Sequence, residues 1–195
     1  MAPLIKHLNF SHVFTPEVRR AAMGAPSKHL VSKGRGPGSL EDEDTAGLDY
    51  NIATGDSMPQ EVIDAVDEAV DWISRRVNNV RLDDDPRARI NVNTLGVGQR
   101  YEKHVDGNPM TLLVFLNNDF KGGTLMVDGV AYPAMPGHAV LFEGWCIPHE
   151  VTEVTQGTRA TMPINLYPVG WEIEGYGGRD AEASTHLYGN KTTPN

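Results

Sequence analysis

The chain has 195 residues, with 17 Lys and Arg against 26 Asp and Glu, a formal net charge of −9 and a pI of about 5.2. That length predicts one domain with a core that needs no disulfide. The acidic field repels phosphate backbones, so nucleic acid is not an expected partner, and no stretch approaches the ~18 apolar residues of a membrane span. The lone Cys146 excludes an intramolecular disulfide and a cysteine-based zinc site. It points to a reducing, cytoplasmic setting. Met1 to His7 has no apolar h-region, so no secretory signal is expected.

Leu8 to Met23 reads as a short strand feeding a helix, with Thr15 as N-cap, Pro16 at the first helical position and Glu17 complementing the dipole. Gly24 to Gly55 then shows no sustained period, several Gly and Pro, and the acidic run Glu41 to Asp44. A span of this kind is either a lid over a site or plain surface disorder. Ser57-Met58-Pro59-Gln60 fits a capping box in which Gln60 reaches back to Ser57. Behind it Val62, Ile63, Val66, Ala69, Val70, Ile73 and Val77 recur at three and four, a stripe that needs a flat apolar partner. Asp64, Asp67, Glu68 and Asp71 form the solvated face of that helix.

After Pro86 the texture changes to short strands: Arg89 to Thr94, Met110 to Leu116, Thr124 to Val127, Ala139 to Phe142, Glu150 to Thr155 and Arg159 to Tyr167. Turn signals such as Gly96-Val97-Gly98 and Gln156-Gly157-Thr158 separate them. The fold class is therefore mainly β with supporting helices, a sandwich or barrel rather than a parallel sheet. The polar, Gly-rich tail from Gly175 to Asn195 is expected to be loosely held.

The chemistry gathers in two places. In His104-Val105-Asp106, read as strand, residues two apart leave the same face side by side. With a second His on a neighbouring strand they make a 2-His-1-carboxylate face, which leaves metal positions open and marks non-haem Fe(II) oxygenases. His149 supplies that His, and ten residues on Arg159 enters an apolar strand. A guanidinium in a core strand must be paired, and its planar fork suits a carboxylate held bidentately. Thr161, on the same strand face, is placed to share that carboxylate. The bland alternatives are a turn-adjacent surface pair for His104 and Asp106, and an internal salt bridge for Arg159.

The order and spacing of several pieces carry a resemblance. They are Gly98-Gln99 before Tyr101-x-x-His104-x-Asp106, Thr111 opening an apolar strand, and Phe120-x-Gly122-Gly123-x-Leu125. Pro136-Gly137 leading to Phe142 follows, then His149-x-Val151-x-x-Val154-x-x-Gly157-x-Arg159. The stretch Leu95 to Tyr167 resembles the prolyl 4-hydroxylase-like branch of the Fe(II)/2-oxoglutarate dioxygenases. The resemblance implies a double-stranded β-helix, a cupin-like jelly roll with the metal at its mouth. It implies that His104, Asp106 and His149 bind Fe(II), that 2-oxoglutarate chelates the iron, and that Arg159 holds its far carboxylate. Dioxygen is then the second cosubstrate, succinate and CO2 the products, and ascorbate a supporting reductant.

Two departures stand out. Family members commonly carry a tyrosine nine residues before the first ligand, where this chain has Leu95; that cosubstrate contact is lost or supplied elsewhere. They also carry an aromatic six residues after the basic residue, where this chain has Asn165, on the strand face of Arg159. Asn165 makes a prolyl peptide a poor expectation. The favoured substrate is a small or amino-acid-like molecule hydroxylated at C–H, with peptidyl hydroxylation as the alternative. Asp106 disfavours halogenation, for which relatives replace the carboxylate. Tyr101 either lines the pocket or packs in the core, Trp145 either faces substrate or shields the metal, and His138 is expected at the surface. A rival of another class is a non-catalytic cupin-like metal binder, which has no use for Arg159.

Overall fold

The computed structural model describes residues 4–31, 49–82 and 89–170. In chain order its elements are β1 (Ile5–Asn9), α1 (Pro16–Met23), β2 (Lys28–Val31), β3 (Asp49–Thr54) and α2 (Gln60–Arg76). There follow β4 (Val80–Leu82), β5 (Asn91–Leu95), β6 (Tyr101–His104), β7 (Met110–Phe115), β8 (Lys121–Gly122), β9 (Leu125–Val127) and β10 (Val130–Tyr132). The last four are β11 (His138–Phe142), β12 (His149–Val151), β13 (Val154–Gln156) and β14 (Arg159–Pro168). Among the described residues, eight strands form a major sheet in the order β1-β11-β7-β14-β5-β3-β2, with β4 also on β14. A minor sheet runs β10-β9-β12-β6, and β13 pairs with β8. Every pairing is antiparallel. The architecture is the double-stranded β-helix, mainly β with two α-helices among the described residues, as the resemblance implies.

Strand alternation divides the apolar residues between two cores. On β14, Ala160, Met162, Ile164 and Leu166 join Leu112 and Val114 of β7 and Leu141 of β11 in a core facing the helices. Onto it α2 lays Val62, Ala65, Val66, Ala69 and Ile73, and Phe10 and Phe14 close the end near α1. Ile63 and Val77 lie at its margin. Each fully buried aliphatic side chain here contributes roughly 1.5–3 kcal/mol. The opposite face of the major sheet offers Leu95, Leu113, Phe115, Val140 and Phe142, which meet Leu125, Val127, Val151 and Val154 from the other strands. This second core is the barrel interior. Asp64, Asp67, Glu68 and Asp71 are exposed on the far side of α2, as expected.

The entry to α1 follows the sequence: the Thr15 hydroxyl accepts a hydrogen bond from Val18 N, and Pro16 opens the helix. The entry to α2 does not. Pro59 takes the cap position and no side chain caps it. Ser57 belongs to a 3-10 turn (Gly55–Ser57) and its hydroxyl donates to Thr54 O at 2.7 Å, so the capping box is not formed.

The span Gly24 to Gly55 is also corrected, since β2 and β3 pair there and extend the major sheet beyond β5. Its middle, 32–48, and with it the lid itself, lies outside the described residues, as does the tail 175–195. Three short strands, β4, β8 and β10, carry too little periodicity to be read in advance, and the stretch Glu150 to Thr155 breaks into β12 and β13. No helix among the described residues is long and apolar enough to cross a membrane.

Candidate active site

Antiparallel pairing of β12 with β6 sets His149 directly opposite His104. The two rings lie 4.2 Å apart between centroids. Asp106 is not on the strand: β6 ends at His104, so the expected same-face geometry of a continuous strand is replaced by a turn. The turn is pinned by Asp106 N donating to Gly144 O at 2.8 Å, just after β11. The carboxylate still arrives between the histidines, with Asp106 Oδ1 at 3.2 Å from His149 Nε2 and 3.7 Å from His104 Nε2. One ligand atom from each of the three residues lies within 4.8 Å of the others.

The protonation pattern suits a cation. His104 Nδ1 lies 2.7 Å from Glu102 O and His149 Nδ1 3.0 Å from Ile147 O. A carbonyl only accepts, so in each ring Nδ1 carries the hydrogen and Nε2 is the atom turned toward the shared centre. Burial, then the neighbouring His149, holds His104 below the usual histidine range. For His149 burial also disfavours charge, but Asp106 and the Ile147 carbonyl outweigh it and raise the value. For Asp106 burial favours the neutral acid, yet the two histidines and Thr111 keep it below the usual carboxylate range.

Behind the triad stands a polar relay that motif reading alone misses. The Thr111 hydroxyl donates to Asp106 Oδ2, while Asn108 Nδ2 donates to Thr111 Oγ1 at 2.9 Å and to Met110 O at 2.6 Å. One carboxylate oxygen is thus held by the protein and the other faces the histidines. Gly144 makes room for it, since a Cβ there would meet Asp106 Oδ2 at 2.5 Å and Thr111 Oγ1 at 2.8 Å. The available signal is Thr111 itself, a hydroxyl at an inward position of an otherwise apolar strand.

Arg159 opens β14 and is 0% exposed. Its Nη1 donates to Thr161 Oγ1 at 3.1 Å. Its Nε and Nη2 are buried and find no hydrogen-bond partner among the described residues. Burial pushes its pKa down to about 10, and favourable electrostatics with Tyr101 offset only part of that. The internal salt bridge is not seen among the described residues, and the barrel there holds a charge that calls for an anion. Gly123 permits the approach, because a Cβ there would stand 2.9 Å from Arg159 Cδ.

The remaining candidates are placed as follows. Tyr101, on β6, is half-buried with its ring 6.3 Å from that of His104, and so borders both His104 and Arg159. Asn165 is half-buried on the inward face of β14, paired across the sheet with Thr111. Trp145 is half-buried in the turn between β11 and β12. His138 departs from the surface expectation: it is half-buried and stacks on His7 with centroids 5.2 Å apart.

This geometry has known counterparts. The family model of the 2OG-Fe(II) oxygenase superfamily matches residues 90–167. Over those residues the barrel is similar to the 2OG-Fe(II) oxygenase superfamily. The barrel carries a His-Asp-His triad, and that superfamily consists of enzymes that use Fe(II), 2-oxoglutarate and dioxygen. Its fold is shared with a prolyl hydroxylase from Trichoplax adhaerens, solved with a peptide of hypoxia inducible factor. The TM-score is 0.59 at 20% identity, covering 84% of this chain and 83% of that one. A viral collagen prolyl hydroxylase from Paramecium Bursaria Chlorella virus-1 aligns at TM-score 0.56 and 16% identity, over 85% and 96% of the two chains. The epimerase SnoN from nogalamycin biosynthesis aligns at 0.53 and 14%, over 89% and 86%. No curated protein sequence matches the chain.

Proposed function

We propose that the protein is an Fe(II)/2-oxoglutarate-dependent hydroxylase acting on a C–H bond of a small or amino-acid-like molecule, with release of succinate and CO2. His104, Asp106 and His149 hold the iron through two Nε2 atoms and Asp106 Oδ1. Arg159 and Thr161 take the distal carboxylate of 2-oxoglutarate. The observation that carries the reading is the buried guanidinium whose Nε and Nη2 lack partners among the described residues, in the same barrel as a His pair oriented through Nδ1 with one ligand atom each beside Asp106. A dianion fits only if a cation waits at each end, and a plain metal binder has no need of the second one.

When bound, the iron would supply the chemistry that activates dioxygen, the oxidant, with 2-oxoglutarate giving up two electrons as it becomes succinate and CO2. The chain's own residues orient it. Thr111 and Asn108 fix the Asp106 carboxylate, the carbonyls of Glu102 and Ile147 fix the imidazoles, and the apolar walls Leu95, Phe115 and Val154 keep water away. Asn165 beside Thr111 gives a wall near the metal an amide, which favours a polar small substrate. The peptide reading draws support from the fold shared with prolyl hydroxylases, one solved with a peptide. The test is succinate formation from 2-oxoglutarate by the Fe(II)-loaded chain with ascorbate, first alone and then with amino acids, small metabolites or proline-containing peptides. Absence of succinate under every condition refutes the enzyme assignment, and stimulation by peptides alone refutes the small-molecule reading.

A further inference from the structure

Ile90, just before β5, and Val92 on it face the helix-side core, and Leu95 faces the barrel. Alternation therefore puts Asn93 inward, on the face of Leu95. The register with β14 then makes two rungs: Leu95 opposite Arg159, and Asn93 opposite Thr161. Directly opposed side chains on one face stand roughly 4.5–5.5 Å apart at Cβ. Asn93 is thus the cross-strand neighbour of the very hydroxyl that Arg159 Nη1 contacts.

The Asn93 amide is unsatisfied. Its Oδ1 is buried and finds no hydrogen-bond partner among the described residues. Buried polar groups are normally paired, and each exception calls for an explanation. A half-turn about χ2 exchanges the oxygen for the NH2 without changing the shape of the side chain. Two more unpaired donors, Arg159 Nε and Nη2, lie in the same barrel. One bound carboxylate answers all of them.

We propose that Asn93 is the third arm of the cosubstrate clamp: with its NH2 turned inward, it donates to the distal carboxylate held by Arg159 and Thr161. The inference rests on the 2-oxoglutarate reading above and adds to it a residue that the family motif does not contain. It also accounts for Leu95. An aliphatic side chain opposite Arg159 offers the carboxylate no hydrogen bond, and the strand supplies one from the next inward position. Thr161 accepts from Arg159 and so has its hydroxyl hydrogen left to give, which leaves the carboxylate facing donors of three kinds.

The experiment is a calorimetric titration of 2-oxoglutarate, and separately of 2-oxobutanoate, into the Mn(II)-loaded full chain without turnover. 2-Oxobutanoate keeps the metal-chelating end and lacks the distal carboxylate. Asn93→Leu is expected to weaken 2-oxoglutarate about tenfold, the scale of one hydrogen bond to a charged group. Asn93→Asp, of the same shape, is expected to weaken it further by repulsion. Neither variant should change 2-oxobutanoate binding, and ligand-free Asn93→Leu should unfold no earlier than the parent. Unchanged 2-oxoglutarate affinity in both variants, while Arg159→Ala loses it, overturns the role of Asn93 and leaves the cosubstrate site standing. Unchanged affinity in Arg159→Ala as well overturns the cosubstrate site itself. Equal weakening of both ligands overturns the clamp, because the defect then lies outside the distal carboxylate.

Discussion

The two faces of β14 have opposite chemistry. Ala160, Met162, Ile164 and Leu166 point to the helices, are apolar, and are at most 3% exposed. Between them, facing the barrel, stand Arg159, Thr161, Pro163 and Asn165. A strand needs only its outer face to fold against α1 and α2. The inner face keeps a charge, a hydroxyl and an amide at the cost of burying them. The difference teaches that the barrel interior is only partly a core: where it is polar, it is shaped for something that binds.

The sharpest break is on the inner side. His149→Ala removes one of the three candidate ligands from a site whose fold rests on the other face. Loss of an outer partner of a metal ligand costs roughly 10–100-fold in affinity, so loss of the ligand should exceed that. Mn(II) titration should show no saturation, and succinate formation should vanish, while the far-UV circular dichroism stays native. The outer face should show the reverse. Ile164→Ala leaves a cavity in the helix-side core and should cost about 2–5 kcal/mol of unfolding free energy. Mn(II) and 2-oxoglutarate should still bind the folded protein with parental affinity, as titration of the purified variant can check.

Arg159 belongs to both ledgers, stability and binding. Burial lowers its pKa from the usual guanidinium range to about 10, a penalty of roughly 3 kcal/mol on the charged form. Arg159→Met keeps the length and removes the charge, so the ligand-free variant should melt higher than the parent. It should also lose about ten- to a hundredfold in 2-oxoglutarate affinity, with the ligand-induced rise in Tm abolished. The sign with pH follows. A base with a depressed pKa binds fewer protons folded than unfolded, so its penalty is full below about 10 and shrinks as the pH rises from there toward the usual guanidinium range. The stability gap between variant and parent should be flat from neutral pH upward and narrow only above that point.

How much of this was legible in advance follows the same division. The metal triad and Arg159 are visible because their chemistry fixes residue types at set spacings, and the α2 stripe because a helix face repeats. The β2–β3 pair was hidden, since Lys28 to Val31 is too short to show a period and its partner lies across 32–48. The capping box failed because Pro59, which cannot cap through its side chain, occupies the position from which the helix starts, leaving Ser57 to the preceding turn. His104 and Asp106 were legible as a pair but not as a turn, because backbone pinning by Gly144 comes from 38 residues away in sequence. Asn93 gave no signal: an amide in a short strand acquires meaning only once the register sets it beside Thr161.

Thr111 tests whether the polar inner face positions as well as binds. It is 3% exposed, and Asn108 7%. Its hydroxyl holds Asp106 Oδ2 and receives Asn108 Nδ2, so the carboxylate can present only Oδ1 to the histidines. Thr111→Val keeps the branched shape, and the outer face of β7 still packs through Leu112 and Val114. What goes is a donor to Asp106 and an acceptor for Asn108. The carboxylate can then rotate, and Mn(II) affinity should fall about tenfold, the lower end for outer partners of metal ligands. Thr111→Ser restores the hydroxyl and should recover most of that loss. At saturating metal, 2-oxoglutarate affinity should be close to that of the parent, because Arg159, Thr161 and Asn93 are untouched. If Thr111→Val binds Mn(II) as tightly as the parent and only its unfolding midpoint drops, Thr111 is scaffold. The polar inner face would then begin at Arg159 and end short of the metal.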